Sequence, residues 1–133
     1  MDTTVLRVDT SRQWLADLTD DANEFCAGRG DGLLSVFAPH ATVGLALLEL
    51  GSGSDEDLAE LFERLLPRDD RYRHAHGARG HGADHVLPVL VSPSMSVPVV
   101  GGRMALGTWQ SLVLVDTNGD NPSRSVRLSF LAG

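Results

Sequence analysis

Apolar and polar residues alternate through TTVLRVDT, so the chain is expected to open with a strand over residues 3–10. The period then changes. Trp14, Leu18, Ala22, Phe25 and Cys26 recur at helical spacing, and Thr19 followed by Asp20 and Asp21 has the form of an N-cap with acids in the first turn. A helix is therefore predicted over about 19–27, ended by Gly28, Gly30 and Gly32, while 11–18 fits neither period. LLSVFAP (33–39) and TVGLALLEL (42–50) are apolar runs of central-strand length. In GSGSDEDLAELFERLLP, Ser54 reads as a cap and Asp55, Glu56 and Asp57 as a first turn. Leu58, Leu61, Phe62, Leu65 and Leu66 then form one apolar face, and Pro67 is the stop.

Residues 67–84 have no hydrophobic period and read as a long loop, a feature often tied to function. DHVLPVLV is open between helix and strand, since Pro88 is tolerated near a helix's first turn or on a sheet edge. MSVPVVGGRMALGTWQSLVLVDT reads as strand, Gly101-Gly102 turn, strand, and RSVRLSFL (124–131) alternates to the end. Strands outnumber helices and most connections suit antiparallel pairing. The expected class is a compact α+β domain over residues 1–133, mainly antiparallel strands with two or three helices.

Composition narrows the chemistry. With 42% hydrophobic but only 5% aromatic residues, the core must be built from Leu, Val and Ala. No apolar run approaches the roughly 20 residues needed to span a bilayer, and MDTTVLRVDT lacks the basic and apolar blocks of a secretory signal. Cys26 is the lone cysteine, so no internal disulfide forms and a cytoplasmic, membrane-free protein is expected. It reads as a small core residue on a helix. A net charge of -7 argues against gripping nucleic-acid phosphates. All eleven basic residues are arginine, which excludes a Walker-type phosphate loop, a protein-kinase site and a Schiff-base enzyme, each of which needs lysine.

The notable chemistry is imidazole. RYRHAHGARGHGADH (71–85) holds four of the five histidines, and His40 stands far upstream. His74 and His76 share a side if extended; His81 and His85 share a face if helical. Neutral imidazole is a common metal ligand, and catalytic sites often use three protein ligands, but this spacing yields several pairs and no unique triad. The alternative is a solvated histidine-glycine loop that binds nothing, and spacing alone does not exclude it. His40, between two apolar strands, needs a hydrogen-bond partner or a metal if buried. Glu49, after Leu47 and Leu48, is either a solvent-facing strand end or a carboxylate meeting a cation, a metal or a cleft edge. Beside a metal-bound water it would serve as general acid or base. LGTWQ places Trp109 and Gln110 just inside a strand, where a tryptophan can stack on a planar ring or simply fill the core.

Together, HATVGLALLE, the D-x-x-x-x-F of DLAELF, the Y-x-H of YRH, the DH at 84–85, the S-x-x-x-P-V of SMSVPV and GTWQ resemble the YjbQ-like family in order and spacing. This family is also known as UPF0047 or secondary thiamine-phosphate synthase. The resemblance runs from about 38 to 131. It implies an antiparallel α+β fold, a homotrimer, and a metal-binding, histidine-lined pocket, with weak thiamine-phosphate synthase activity in some members; the cofactor expected here is a divalent metal, zinc. By position, His40, His74 and His85 match the family's histidines as metal ligands, and Glu49 matches its acid/base residue. Trp109 and Gln110 match its strand motif, while His76 and His81 match nothing. Synthesis of thiamine phosphate expels pyrophosphate, for which Arg79, Arg103 and Arg124 are anion candidates and Trp109 a stacking platform. The chain departs from the pattern at Ala41, Leu48, Ser92 and in NPSRSVR, departures that bear on substrate more than on fold. Rival readings are a metal-dependent hydrolase or lyase on another small molecule, and a non-catalytic oligomer that binds metal or a small ligand.

Overall fold

A computed structural model describes residues 1–133. Eight strands and three helices follow one another as β1 (Asp2–Asp9), β2 (Leu15–Asp17), α1 (Thr19–Cys26), β3 (Gly32–Phe37), β4 (Val43–Leu48), α2 (Ser54–Leu65), α3 (His81–Leu90), β5 (Ser94–Val100), β6 (Arg103–Met104), β7 (Ser111–Asp116) and β8 (Ser123–Ala132). All pairings are antiparallel. They make a five-stranded sheet, β1-β8-β3-β5-β6, and a three-stranded sheet, β2-β7-β4. The α+β class read from the pattern is the one observed. No helix is long and apolar enough to cross a membrane.

The sheets pack face to face. Leu34 and Val36 of β3, Val97 and Val99 of β5, and Val126, Leu128 and Phe130 of β8 meet Val43, Leu45, Leu112 and Leu114 of the smaller sheet. Period-two alternation turns Leu33 and Phe37 outward on the same strand. α1 closes the core with Ala22 and Cys26, both fully buried, and that burial raises the Cys26 thiol pKa, consistent with an inert core residue. The opposite face of the three-stranded sheet is covered by α2 and α3, where Phe62 and Leu87 pack on Val115. β7 is thus buried on both faces, which is why LVLV is an unbroken apolar run. Gly44 lets the end of α3 lie on β4, because a Cβ there would stand 2.2 Å from the Val91 carbonyl oxygen.

Several local expectations need correcting. Residues 15–17, which fit no period, form β2 against Val113–Val115; three residues are too few to show alternation. Thr19 does not cap α1. Its hydroxyl donates to Asp17 and accepts the Leu112 amide, tying the helix start to β7. Ser54 also opens its helix without a side-chain cap, behind a left-handed Gly53. Of the expected apolar face of α2, only Phe62 is buried; Leu61 and Leu65 are exposed. The histidine loop ends at Gly80, where α3 begins. Pro88 stands in the last turn of α3 rather than the first, where the missing amide affects a helix that stops two residues later. Trp109 and Gln110 lie in a turn before β7, not within a strand, because the Gln110 amide bonds back to the Gly107 carbonyl.

Candidate metal centre

Helical geometry makes half of the site. His81 and His85, one turn apart on α3, face the same way, with their Nε2 atoms 2.8 Å apart. The preceding loop makes the other half. His74 and His76 alternate along it, and their rings meet edge to face with centroids 4.0 Å apart. The His74 ring lies 3.8 Å from that of His85, and the His76 ring 5.1 Å from that of His81. One donor nitrogen from each of the four lies within 4.8 Å of every other.

Glycine is what lets the loop fold onto the helix. Gly80 enters α3 in the left-handed conformation, with φ 79°. A Cβ on Gly82 would stand 2.3 Å from the Tyr72 Cβ. The loop is further held by the Tyr72 hydroxyl, which donates to the Pro67 carbonyl at 2.9 Å. Arg68 forks onto the buried Asp84, which also accepts the Thr117 hydroxyl at 2.6 Å. From the far end of β7, Asp120 accepts the Ala78 amide at 3.1 Å and brings an oxygen to 3.0 Å from Nδ1 of His81. Asp84 and Asp120 therefore brace opposite sides of the histidine segment.

His81 is buried, His85 is half-buried, and His74 and His76 are exposed. Loss of water lowers the pKa of His74 and of His85, and the neighbouring rings push the same way. Neutral imidazole is the form that carries a free lone pair. The cluster opens on a recess of about 310 Å³ whose wall includes Asp69, Asp70, Tyr72 and Arg79. A separate cleft of about 270 Å³, between α2 and α3, is mostly apolar. Its buried carboxylate, Asp84, is already committed to Arg68 and Thr117.

The sequence-derived site is only partly gathered. His74 and His85 come together, joined by His76 and His81 rather than by His40. His40 lies outside the cluster: its Nε2 accepts the Ser125 amide at 3.0 Å, which satisfies an imidazole between two apolar strands without any metal. Arg124, an expected anion partner, is 3% exposed and forks onto the fully buried Asp116 at 2.7 and 3.0 Å, with Thr42 as a further acceptor. Glu49 leaves β4 beside Ser111, accepts the Ser52 hydroxyl and is half-buried. Trp109 and Gln110 precede Ser111 at that same end, with Trp109 73% exposed and the Gln110 side chain holding the Gly107 amide. The histidine cluster sits beyond the other end of the six-residue β7, roughly 17 Å away at about 3.3 Å per residue. Within one chain, Glu49, Trp109 and Gln110 do not reach it.

His40 carries a pH dependence. Its burial, followed by the charge of Arg124, lowers its pKa from the ordinary imidazole value of 6.5. A depressed folded pKa means that its contribution is complete above pH 6.5 and lost as pH falls through the folded value; His74 and His85 act in the same direction. Urea unfolding of metal-free protein is expected to show stability declining from pH 7 to pH 5. His40→Asn should flatten part of that slope, whereas an unchanged slope would remove His40 from the effect.

The family model for UPF0047 protein YjbQ-like matches residues 4–133. A UPF0047 protein of Mycobacterium tuberculosis is 65% identical over 133 residues, covering 100% of each chain. One from Archaeoglobus fulgidus is 35% identical over 112 residues, covering 84% of this chain and 87% of its own. Among solved structures, a hypothetical protein from Aeropyrum pernix superposes with a TM-score of 0.88 at 31% identity over 100% of both chains. A YbjQ-like protein of unknown function from Sulfolobus solfataricus, at TM-score 0.89 and 23% identity over 99% of this chain and 97% of its own, shares the fold. With the family model spanning nearly the whole chain and a relative 65% identical over its full length, the chain belongs to the UPF0047 YjbQ-like family.

Proposed function

We propose that His74, His76, His81 and His85 bind a divalent transition metal, zinc by preference, and that the protein is a metal-dependent enzyme acting on a small molecule held in the adjoining recess. The observation that carries this is the approach of His81 and His85, whose Nε2 atoms are 2.8 Å apart with two further ring nitrogens within 4.8 Å. Two nitrogens that close can share one proton or face one cation. Tetrahedral zinc, with bonds of about 2.0–2.1 Å, needs donors roughly 3.4 Å apart, so modest adjustments of these rings suit it. An all-imidazole donor set fits zinc, copper or nickel and disfavours magnesium and calcium. Four imidazoles fill a tetrahedral site, so bound zinc would supply Lewis acidity toward a carbonyl or phosphoryl oxygen once an exposed histidine, His74 or His76, yields its position to substrate. The protein's own part is to present the two exposed histidines to the recess and to hold the helical pair, His81 and His85, rigid.

Purification without a histidine tag, followed by elemental analysis, is expected to return about one equivalent of zinc per chain. No stoichiometric metal, even after zinc is supplied and excess removed, would refute the reading.

Thiamine-phosphate synthesis is the second reading, favoured by the exposed indole of Trp109 as a surface for a pyrimidine ring. It requires that Glu49, Trp109 and Gln110 reach the histidines from neighbouring copies, as in the trimer expected of the family. Zinc-loaded protein turning over the two thiamine precursors, with the turnover lost in Trp109→Ala, would support it; zinc binding without turnover would leave the metal centre and remove the synthase.

A further inference from the structure

We infer that Asp120 is the positioning carboxylate of the histidine centre, fixing the proton of His81 on Nδ1 so that Nε2 carries the free lone pair toward the cluster. This rests on the metal reading above for its consequence but not for its geometry. Nδ1 of His81 is buried and lacks an aligned hydrogen-bond partner, yet Oδ2 of Asp120 stands 3.0 Å from it. A buried imidazole N–H facing a carboxylate is held in one tautomer and made a better ligand through its other nitrogen. The carboxylate is itself mounted stiffly. Its backbone amide donates to the Asn118 side chain at 3.0 Å, and the Asn118 amide donates in turn to Asp116 at 3.0 Å. Asp116 is pinned by Arg124. The turn after β7 is therefore a bracket, rooted in a buried ion pair, that delivers Asp120 to the one buried histidine of the cluster. The same oxygen accepts the Ala78 amide and so also registers the loop carrying His74 and His76.

Two measurements test this. In metal-free protein at pH 8, long-range ¹H–¹⁵N NMR of the imidazoles should report His81 as the Nδ1–H tautomer, and Asp120→Asn should shift it toward a mixture. Zinc affinity, measured by competition with a chromogenic chelator, should fall about 10–100-fold in Asp120→Asn. Asparagine keeps an oxygen for the Ala78 amide, so in a His81→Ala background the same substitution should change affinity less than about twofold. An Nε2–H tautomer in the parent protein, or an affinity loss of equal size with and without His81, would overturn the inference. A parent protein that shows the Nδ1–H tautomer but binds no zinc would sink the metal reading while leaving the Asp120–His81 contact established.

Discussion

Arg124→Met is expected to destabilise the protein by about 3–5 kcal/mol, the cost typical of removing one partner from a buried ion pair. The guanidinium is 3% exposed and the Asp116 side chain fully enclosed, so the substitution strands a carboxylate that water cannot reach. Its remaining donors, the Thr10 hydroxyl at 2.6 Å and the Asn118 amide at 3.0 Å, do not neutralise it. At a few degrees per kcal/mol for a domain of this size, the melting temperature should fall by roughly 10–20 °C. Arg124→Met combined with Asp116→Asn should recover part of the loss, because the neutral amide removes the unpaired charge. If Arg124→Met melts within two degrees of the parent, the ion pair does not anchor the turn after β7. The same variant discriminates between roles: an arginine kept for substrate anions would lose turnover and leave the melting temperature alone.

The second large effect concerns the metal. His81→Ala and His85→Ala are each expected to weaken zinc binding by at least about a hundredfold, since each removes a first ligand from a preformed pair. His74→Ala and His76→Ala, which remove exposed ligands from the loop, should cost less. His40→Ala should leave affinity within about twofold, because its Nε2 is occupied by the Ser125 amide and it lies outside the cluster. The series is read by chelator competition, with melting temperatures as a control for folding. A hundredfold loss in His40→Ala with His76→Ala and His81→Ala silent would restore the three-ligand set of His40, His74 and His85 and reject the four-histidine centre.

These two expectations also mark how much the chain reveals before it folds. The pairs His74/His76 and His81/His85 were legible as spacing, two apart for an extended segment and four apart for a helix; the helix occurs, and the first pair meets edge to face within an irregular loop. Their meeting was not legible. It depends on Gly80 and Gly82 allowing the loop to cross the first turn of α3, and those glycines read as further loop. His40 was drawn into the metal set by its match to the family's histidines, which says nothing of the Ser125 amide 85 residues later. Asp120 gave no signal at all, and Asp84 entered only as half of the DH motif with no bracing role, because a bracing carboxylate looks like any surface acid until the element opposite it is known.

Alternation and apolar run length were enough for the longer strands, the α+β class and a Leu/Val core, since burying one face of a sheet imposes a period on neighbouring residues. Whether β7 lay between two layers, and which end of it received each polar residue, came from long-range pairing. That pairing holds Glu49 and Trp109 at one end and the four imidazoles at the other, a separation set by strand length and register that no local pattern encodes.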